Sequence, residues 1–94
     1  MAETETRVEI FGNAYTLKGE GDDAYLKELA GYVDQQMRTL AAGMGTPAAP
    51  LKVAILAAVH MADELHQLRK RVEALERLLE ETAKELAGAL EQAP

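Results

Sequence analysis

Three side chains that could bind a metal ion lie close together in the second half of the sequence. Asp63 and Glu64 follow His60 by three and four residues, which places all three on one side of a helix. An imidazole and two carboxylates could ligate a metal ion, or His60 and Glu64 could simply share a local hydrogen bond. We favour the local bond. His66 lies six residues from His60 and therefore on a different face of the helix.

The other reactive residue types lack the partners that catalysis or phosphate binding requires. Gly43 and Gly45 flank a methionine without the rest of a phosphate-binding loop. Asp22 and Asp23 suit the start of a helix better than acid–base chemistry. The sequence contains no cysteine, which excludes a disulfide framework and a thiol nucleophile. We therefore expect a protein that is not an enzyme and uses no cofactor.

One basic run, Arg69-Lys70-Arg71, could contact nucleic acid. A net charge of −6 argues against DNA as the main partner. The run also fits a heptad repeat in which Arg69 holds position e and Arg71 position g. In a parallel dimer Glu64 at g would then meet Arg69, and Arg71 would meet Glu76 at e. We favour these pairs and expect no nucleic-acid partner.

That heptad repeat runs through the last third of the chain. From Leu65 to Ala89, residues that are apolar except for Thr82 recur at alternating steps of three and four, which predicts a coiled-coil seam with a left-handed supercoil. Such a seam needs another helix to cover it. The residues that we expect to mediate self-association, in the seam and in the apolar block before it, are Ile55, Leu56, Val59, Leu65, Leu68, Val72, Leu75, Leu78, Leu79 and Leu86.

Beyond Arg77 the positions flanking the seam become apolar. Leu78 lies at g, and Ala83 and Leu90 lie at e. Apolar flanks widen the seam beyond what a two-stranded coil covers. We therefore predict that two helices pair in parallel and that their outer halves pack against a second pair, which gives a tetramer.

One long helix carries all of these residues. Thr46 suits an N-cap and Pro47 a first helical position, which predicts a helix from there to about Gln92. About 45 residues at 1.5 Å each make a helix of roughly 65–70 Å. From Leu51 to Ala62 nearly every residue is apolar, so this part should be buried on all sides.

Two short strands open the chain. Residues 7–11 and 15–18 alternate between polar and apolar side chains around Gly12-Asn13, a two-residue hairpin signal. With that pair as the loop, Ile10 would face Tyr15. The apolar residues that would share one face are Val8, Ile10, Tyr15 and Leu17, as a hairpin that packs on helices requires.

The same register places Arg7 opposite Lys18 on the other face of the hairpin. Like charges directly opposite each other are mildly destabilising. The pair could form a small basic spot for a partner, or both side chains could splay into water. We favour the second interpretation.

A helix of medium length should follow the hairpin. Asp22 suits its N-cap, with Asp23 in the first turn, and Gly43 should end it near Ala42. Its packed face is predicted to hold Leu26, Leu29, Val33, Met37 and Leu40, with Tyr25 and Ala30 at the edge. Because a lone hairpin is only marginally stable, two chains could join their hairpins into one four-stranded sheet.

The order of elements predicts an α+β fold. A small β-β-α head at residues 1–62 should be followed by a coiled-coil stalk at residues 63–94. A head of this size buries little surface, which favours an obligate oligomer. The N-terminus lacks the apolar segment of a signal peptide, and no stretch is apolar enough to span a membrane. We expect a cytoplasmic protein without a membrane partner.

Three blocks of the sequence resemble the ZapA family of bacterial cell-division proteins. VEIFG at 8–12 with YTL at 15–17 resembles the opening hairpin of that family. DQQMR at 34–38 resembles the end of its first helix. LKVAILAAV at 51–59, followed by ADEL at 62–65, resembles its apolar block. The three blocks occur in the family's order and spacing.

The resemblance implies a head that dimerises and a stalk through which two dimers join tail to tail. It also implies that the protein binds FtsZ, the tubulin-like division GTPase, and cross-links its filaments in the Z-ring at the division site. The head residues that are candidates for FtsZ contact are Arg7, Asn13, Lys18, Arg38 and Lys52. Lys52 could equally be a solvated residue at the helix start. The alternative function is a coiled-coil scaffold for another cytosolic partner.

Overall fold

The predicted α+β fold is confirmed. The computed structural model describes residues 4–45 and 47–93. Its elements are, in chain order, strand β1 (Thr4–Ile10), strand β2 (Asn13–Gly19), helix α1 (Asp23–Ala42) and helix α2 (Pro50–Glu91). The chain divides into an N-terminal unit, Met1–Val59, and a C-terminal unit, His60–Pro94, and α2 contributes to both.

The hairpin forms as predicted, but its register differs. Phe11 and Gly12 make the loop, so Ile10 faces Asn13 rather than Tyr15. The φ angles of the two loop residues are 51° and 81°. Two positive values are the pattern of a type I′ turn, whose twist matches that of the flanking strands. The pairing shifts by two residues, so each side chain keeps its predicted face.

The corrected register separates the two basic residues that were predicted to face each other. Arg7 lies opposite Thr16, and Lys18 lies opposite Glu5. The Lys18 Nζ is 3.7 Å from the Glu5 Oε1. This ion pair is exposed and contributes little to stability, but it replaces a predicted repulsion with an attraction.

Helix α1 has the predicted cap and bounds. The Asp22 carboxylate accepts a hydrogen bond from the Tyr25 backbone N–H at 2.7 Å, which satisfies one of the unpaired donors of the first turn. The helix then runs to Ala42, where Gly43 ends it.

The packed face of α1 is rotated relative to the prediction. Ala30 and Met37 are its buried residues, whereas Leu29 is 44% exposed. Ala30 therefore lies at the centre of this face and not at its edge. The helix packs against β1, and residues spaced seven apart, such as Ala30 and Met37, follow one line along the contact.

Helix α2 begins at Pro50, three residues after the predicted first position at Pro47. Thr46, the predicted N-cap, lies outside the described residues. Pro50 has no N–H to bond to the carbonyl of residue 46, and it disfavours helical geometry in the residue before it. The first helical bond runs from the Val53 N–H to the Ala49 carbonyl at 3.1 Å. Pro50 thus holds the first helical position.

The core of the N-terminal unit is small and covers only one face of α2. Val53 is 0% exposed and Ala57 is also buried, whereas most neighbouring apolar residues on α2 remain exposed in the single chain. The expected burial on all sides is therefore not reached within one chain. The exposed large apolar residues of this block are Leu51, Ile55, Leu56 and Val59.

Candidate functional site: the hairpin tip and the apolar seam of α2

Among the described residues, two side-chain hydrogen bonds that fasten the hairpin to α1 stand out, and the first lies near the start of both elements. Thr6 is 1% exposed, and its hydroxyl donates to the Asp23 Oδ1 at 2.7 Å. A buried hydroxyl without a partner would cost stability. The bond gives Thr6 a charged acceptor, and Lys27 holds the other carboxylate oxygen at 3.0 Å, one turn further along α1.

The second bond lies at the hairpin tip, which we define as Phe11, Gly12 and Asn13. The Phe11 backbone N–H donates to the Asp34 Oδ1 at 2.8 Å. Arg38, one turn further along α1, donates through its Nε to both Asp34 oxygens at 3.0 and 2.9 Å. Helical spacing brings these two charged side chains together, and the pair fixes the carboxylate beneath the turn.

Both aspartates are stabilised in the ionised form. The Phe11 backbone N–H, and after it Arg38, holds the pKa of Asp34 below its ordinary value of 3.8. The Thr6 hydroxyl, and after it Lys27, lowers the pKa of Asp23 in the same way. Hydrogen bonds to a carboxylate favour its charged form. The two anchors of the hairpin are therefore charge-assisted.

Acid should weaken the tip anchor. The pKa of Asp34 is lowered by folding, so its contribution is fully present above about 3.8 and is lost as the pH falls through the lowered value. We expect Asp34→Asn to melt below the native chain at about pH 7, and the gap between them to narrow as the pH falls below about 3.8 and through the lowered pKa. Thermal unfolding at equal protein concentration measures both midpoints. A gap that stays constant with pH would contradict the anchor.

The structure brings some of the candidate FtsZ-contact residues together. Arg7 and Lys18 lie on the outer face of the hairpin as diagonal neighbours. Asn13 lies at the tip, and Arg38 reaches the tip through Asp34. These four residues are exposed in the single chain.

Lys52 lies on the first turn of α2, where it is exposed. Its neighbours Pro50 and Leu51 line a groove of about 500 Å³ in the N-terminal unit. The groove reaches the hairpin tip and is mostly apolar. Among its lining residues are Ile10, Phe11, Tyr15, Leu17, Met37 and Ala54. Apolar surface of this kind is typical of a protein-interaction surface.

The seam of α2 lies in the C-terminal unit, where no described residue is buried. Leu75 and Leu79 are 59% and 69% exposed. Nearer the start of the same unit, a groove of about 330 Å³ is bordered by seam residues, by the charged residues at position e and by one glutamate at position b. Its lining is Leu65, Leu68, Arg69, Val72, Glu73 and Glu76. A hollow between seam side chains is what a knob from a partner helix fills in a coiled coil.

The structure gives the histidine cluster a local contact. The His60 Nε2 lies 3.8 Å from the Glu64 Oε1, one helical turn away. Within residues 4–45 and 47–93, no three His, Cys, Asp or Glu side chains are grouped so that they could hold a metal ion. In the same part of the chain, no helix combines the length and the apolar character needed to cross a membrane.

The residues that sequence reasoning missed are the hairpin anchors. Asp34 was noted only as part of a block that resembles a family, and the contact between Thr6 and Asp23 was not anticipated. A signal was present, because Asp34 and Arg38 have the spacing of a helical ion pair on a helix that must pack closely. That spacing could not show that Asp34 accepts a hydrogen bond from Phe11, which lies 23 residues earlier in the chain.

The chain forms a β-hairpin that is anchored on one helix, and a second helix of 42 residues carries an exposed heptad seam. These features define a class of small α+β proteins. The sequence matches the family model described as "Cell division protein ZapA" over residues 6–92. The chain belongs to the ZapA family of cell-division proteins.

Individual relatives agree with that assignment. The chain is 35% identical over 79 residues to the proteins named "Cell division protein ZapA" of Bacillus velezensis and Bacillus subtilis, a match that covers 83% of this chain and 91% of each relative. It also resembles a solved structure described as a ZapA mutant dimer from Geobacillus stearothermophilus. That likeness has a TM-score of 0.64 at 29% sequence identity and covers 85% of this chain and 92% of that chain.

Proposed function

We propose that this protein binds FtsZ filaments through its N-terminal unit and cross-links them as a coiled-coil tetramer, which stabilises the Z-ring at the division site in the cytoplasm. The observation that carries the proposal is the exposed heptad seam of α2 in a member of a cell-division family. Self-association through the seam gives several copies of the head in one particle. A bivalent particle can hold two filaments together.

The apolar surface of the single chain supports self-association. The large seam side chains, which are leucines and one valine, are all at least half exposed. Leaving such a stripe in water is unfavourable, since each large apolar side chain gains about 1.5–3 kcal/mol on full burial. Charged residues at e and g, with Glu64 and Arg71 at g and Arg69 and Glu76 at e, complement each other across a parallel pair.

A second copy also suits the N-terminal unit. Ile55, Leu56 and Val59 form an exposed apolar face of α2 in the N-terminal unit. The related structure from Geobacillus stearothermophilus is described as a dimer. We infer that this face is the dimer contact and that the flanking Leu78, Ala83 and Leu90 widen the seam for a second pair of chains.

Co-sedimentation with FtsZ and GTP, combined with light scattering, tests the proposed function. The mass of the protein is first fixed by analytical ultracentrifugation. A tetramer that co-sediments and increases scattering supports the cross-linker. A dimer that co-sediments without increasing scattering retains the head contact and removes the tetramer. Absence of co-sedimentation leaves the scaffold function for a different partner.

Charge reversal on the hairpin should separate partner binding from assembly. We expect Arg7→Glu and Asn13→Glu each to weaken FtsZ co-sedimentation by about tenfold, since a repulsive charge within a contact costs on the order of 1.4 kcal/mol. The assembly mass should not change. Lys70→Glu and Gln67→Glu make the same charge changes at outer heptad positions and serve as controls. Equal losses in the hairpin and control variants would point to a general charge effect.

A further inference from the structure

The hairpin turn contains a residue that does not favour its own conformation. Phe11 has a φ of 51°, in the left-handed region. That region is uncommon for residues other than glycine, asparagine and aspartate. Type I′ turns favour Asn-Gly or Asp-Gly for this reason, yet this turn is Phe11-Gly12. Something outside the turn must therefore favour the left-handed conformation of Phe11.

One contact from outside the turn reaches the Phe11 backbone from α1. The Asp34 Oδ1 accepts the Phe11 N–H at 2.8 Å, and the Arg38 Nε contacts both oxygens of that carboxylate. The Asp34 side chain is 25% exposed, whereas the Arg38 side chain is 58% exposed. The carboxylate is thus partly shielded and aimed at the turn, with the guanidinium on its solvent side.

We propose that Asp34 and Arg38 act as a positioning pair, which holds Phe11 in the left-handed conformation and so sets how the hairpin tip is presented to a partner. The pair acts on the tip through the Phe11 backbone. Arg38 therefore influences partner binding through Asp34, and not by touching the partner. The part of this inference that concerns binding rests on the proposed function.

The turn sequence itself supplies a rescue test. Phe11→Asn creates Asn-Gly, which favours the type I′ turn without outside help. In the native background we expect Asp34→Ala to weaken FtsZ co-sedimentation by about tenfold. In the Phe11→Asn background the same change should cost no more than about twofold. Equal losses in the two backgrounds would overturn the positioning role.

The matched control is the other hairpin anchor. Asp23→Ala removes the acceptor of the Thr6 hydroxyl, which lies away from the turn. If this change loosens the head, its effect should be the same with and without Phe11→Asn. If Phe11→Asn reduces the losses caused by both Asp34→Ala and Asp23→Ala, it stabilises the hairpin in general. That result would overturn the specific role of Asp34 and Arg38.

A spectroscopic readout decides the question without FtsZ. The amide proton shift of Phe11 should follow the titration of the Asp34 carboxyl group, because the two are hydrogen-bonded. Asp34→Asn should abolish that titration, and Arg38→Ala should move it to higher pH, since Arg38 helps to lower the pKa of Asp34. If the amide proton shift of Phe11 does not change as Asp34 titrates, the inference is overturned.

The two proposals fail in distinguishable ways. If the native protein does not co-sediment with FtsZ, the proposed function fails. The positioning pair is then judged by the Phe11 amide titration and by the same four-variant cycle measured in thermal unfolding. If co-sedimentation succeeds but the cycle shows no coupling between positions 11 and 34, the positioning pair fails alone.

Discussion

Replacing Leu75 and Leu79 together by glutamate should dissociate the assembly. Both side chains lie in the heptad seam and are more than half exposed in the single chain. In the proposed assembly each glutamate would place a charge between apolar neighbours, which costs several kcal/mol. Since each 1.4 kcal/mol is tenfold in the association constant, self-association should weaken by roughly 10² to 10⁴-fold. Sedimentation velocity measures the change.

The matched control keeps the charge and the helix but moves the substitutions off the seam. Ala74→Glu with Ala87→Glu adds the same two charges at outer heptad positions c and b. This variant should sediment as the native protein does. Circular dichroism should show lower helicity in the seam variant alone, because an unassembled helix is marginal in water. A seam variant with native mass would mean that the heptad repeat is not the interface.

Leu78→Glu should separate filament binding from filament bundling. Leu78 lies at position g, beside the seam, where the flanking positions become apolar. If a second pair of helices covers this flank, a charge there should leave dimers. Such dimers keep their heads, so co-sedimentation with FtsZ should persist. A dimer should no longer link two filaments. Because linked binding can exceed single-site affinity by 10² to 10⁴-fold, filament bundling should be lost.

For Leu78→Glu we expect half the native assembly mass and low light scattering. The amount of protein that co-sediments with FtsZ should not change. Ala74→Glu alone is the control, since it adds one charge at an outer position of a neighbouring turn. If Leu78→Glu still forms tetramers in sedimentation, the flank does not form the second interface. If it forms dimers that still bundle filaments, each dimer is itself bivalent and the tetramer is not required.

The elements of the fold were predictable because their signals are local. Asp22 caps α1, as predicted from its position just before the apolar pattern, and Gly43 ends that helix. The sequence pattern predicted one helix to about Gln92, and α2 ends at Glu91. These signals depend on neighbours within one helical turn, which the sequence contains directly.

The details that failed depend on contacts between distant residues. The Gly12-Asn13 signal is a sound local preference, but the turn forms at Phe11-Gly12, where Asp34 accepts the Phe11 N–H from 23 residues away. The rotation of α1 toward Ala30 depends likewise on its packing against β1. The start of α2 was a different kind of error. Pro50 carries the local signal that was assigned to Pro47.

Within the described residues the sheet has only two strands, so each has one edge without a strand partner. Such an edge is a template for aggregation during synthesis, before partner chains are at hand. The outer face of the hairpin carries Glu5, Arg7, Glu9 and Lys18 in alternation with inward-facing residues. Charged side chains on this face disfavour the dry stacking of sheets on which amyloid growth depends. Charges at these positions therefore oppose aggregation of a chain that has not yet found its partners.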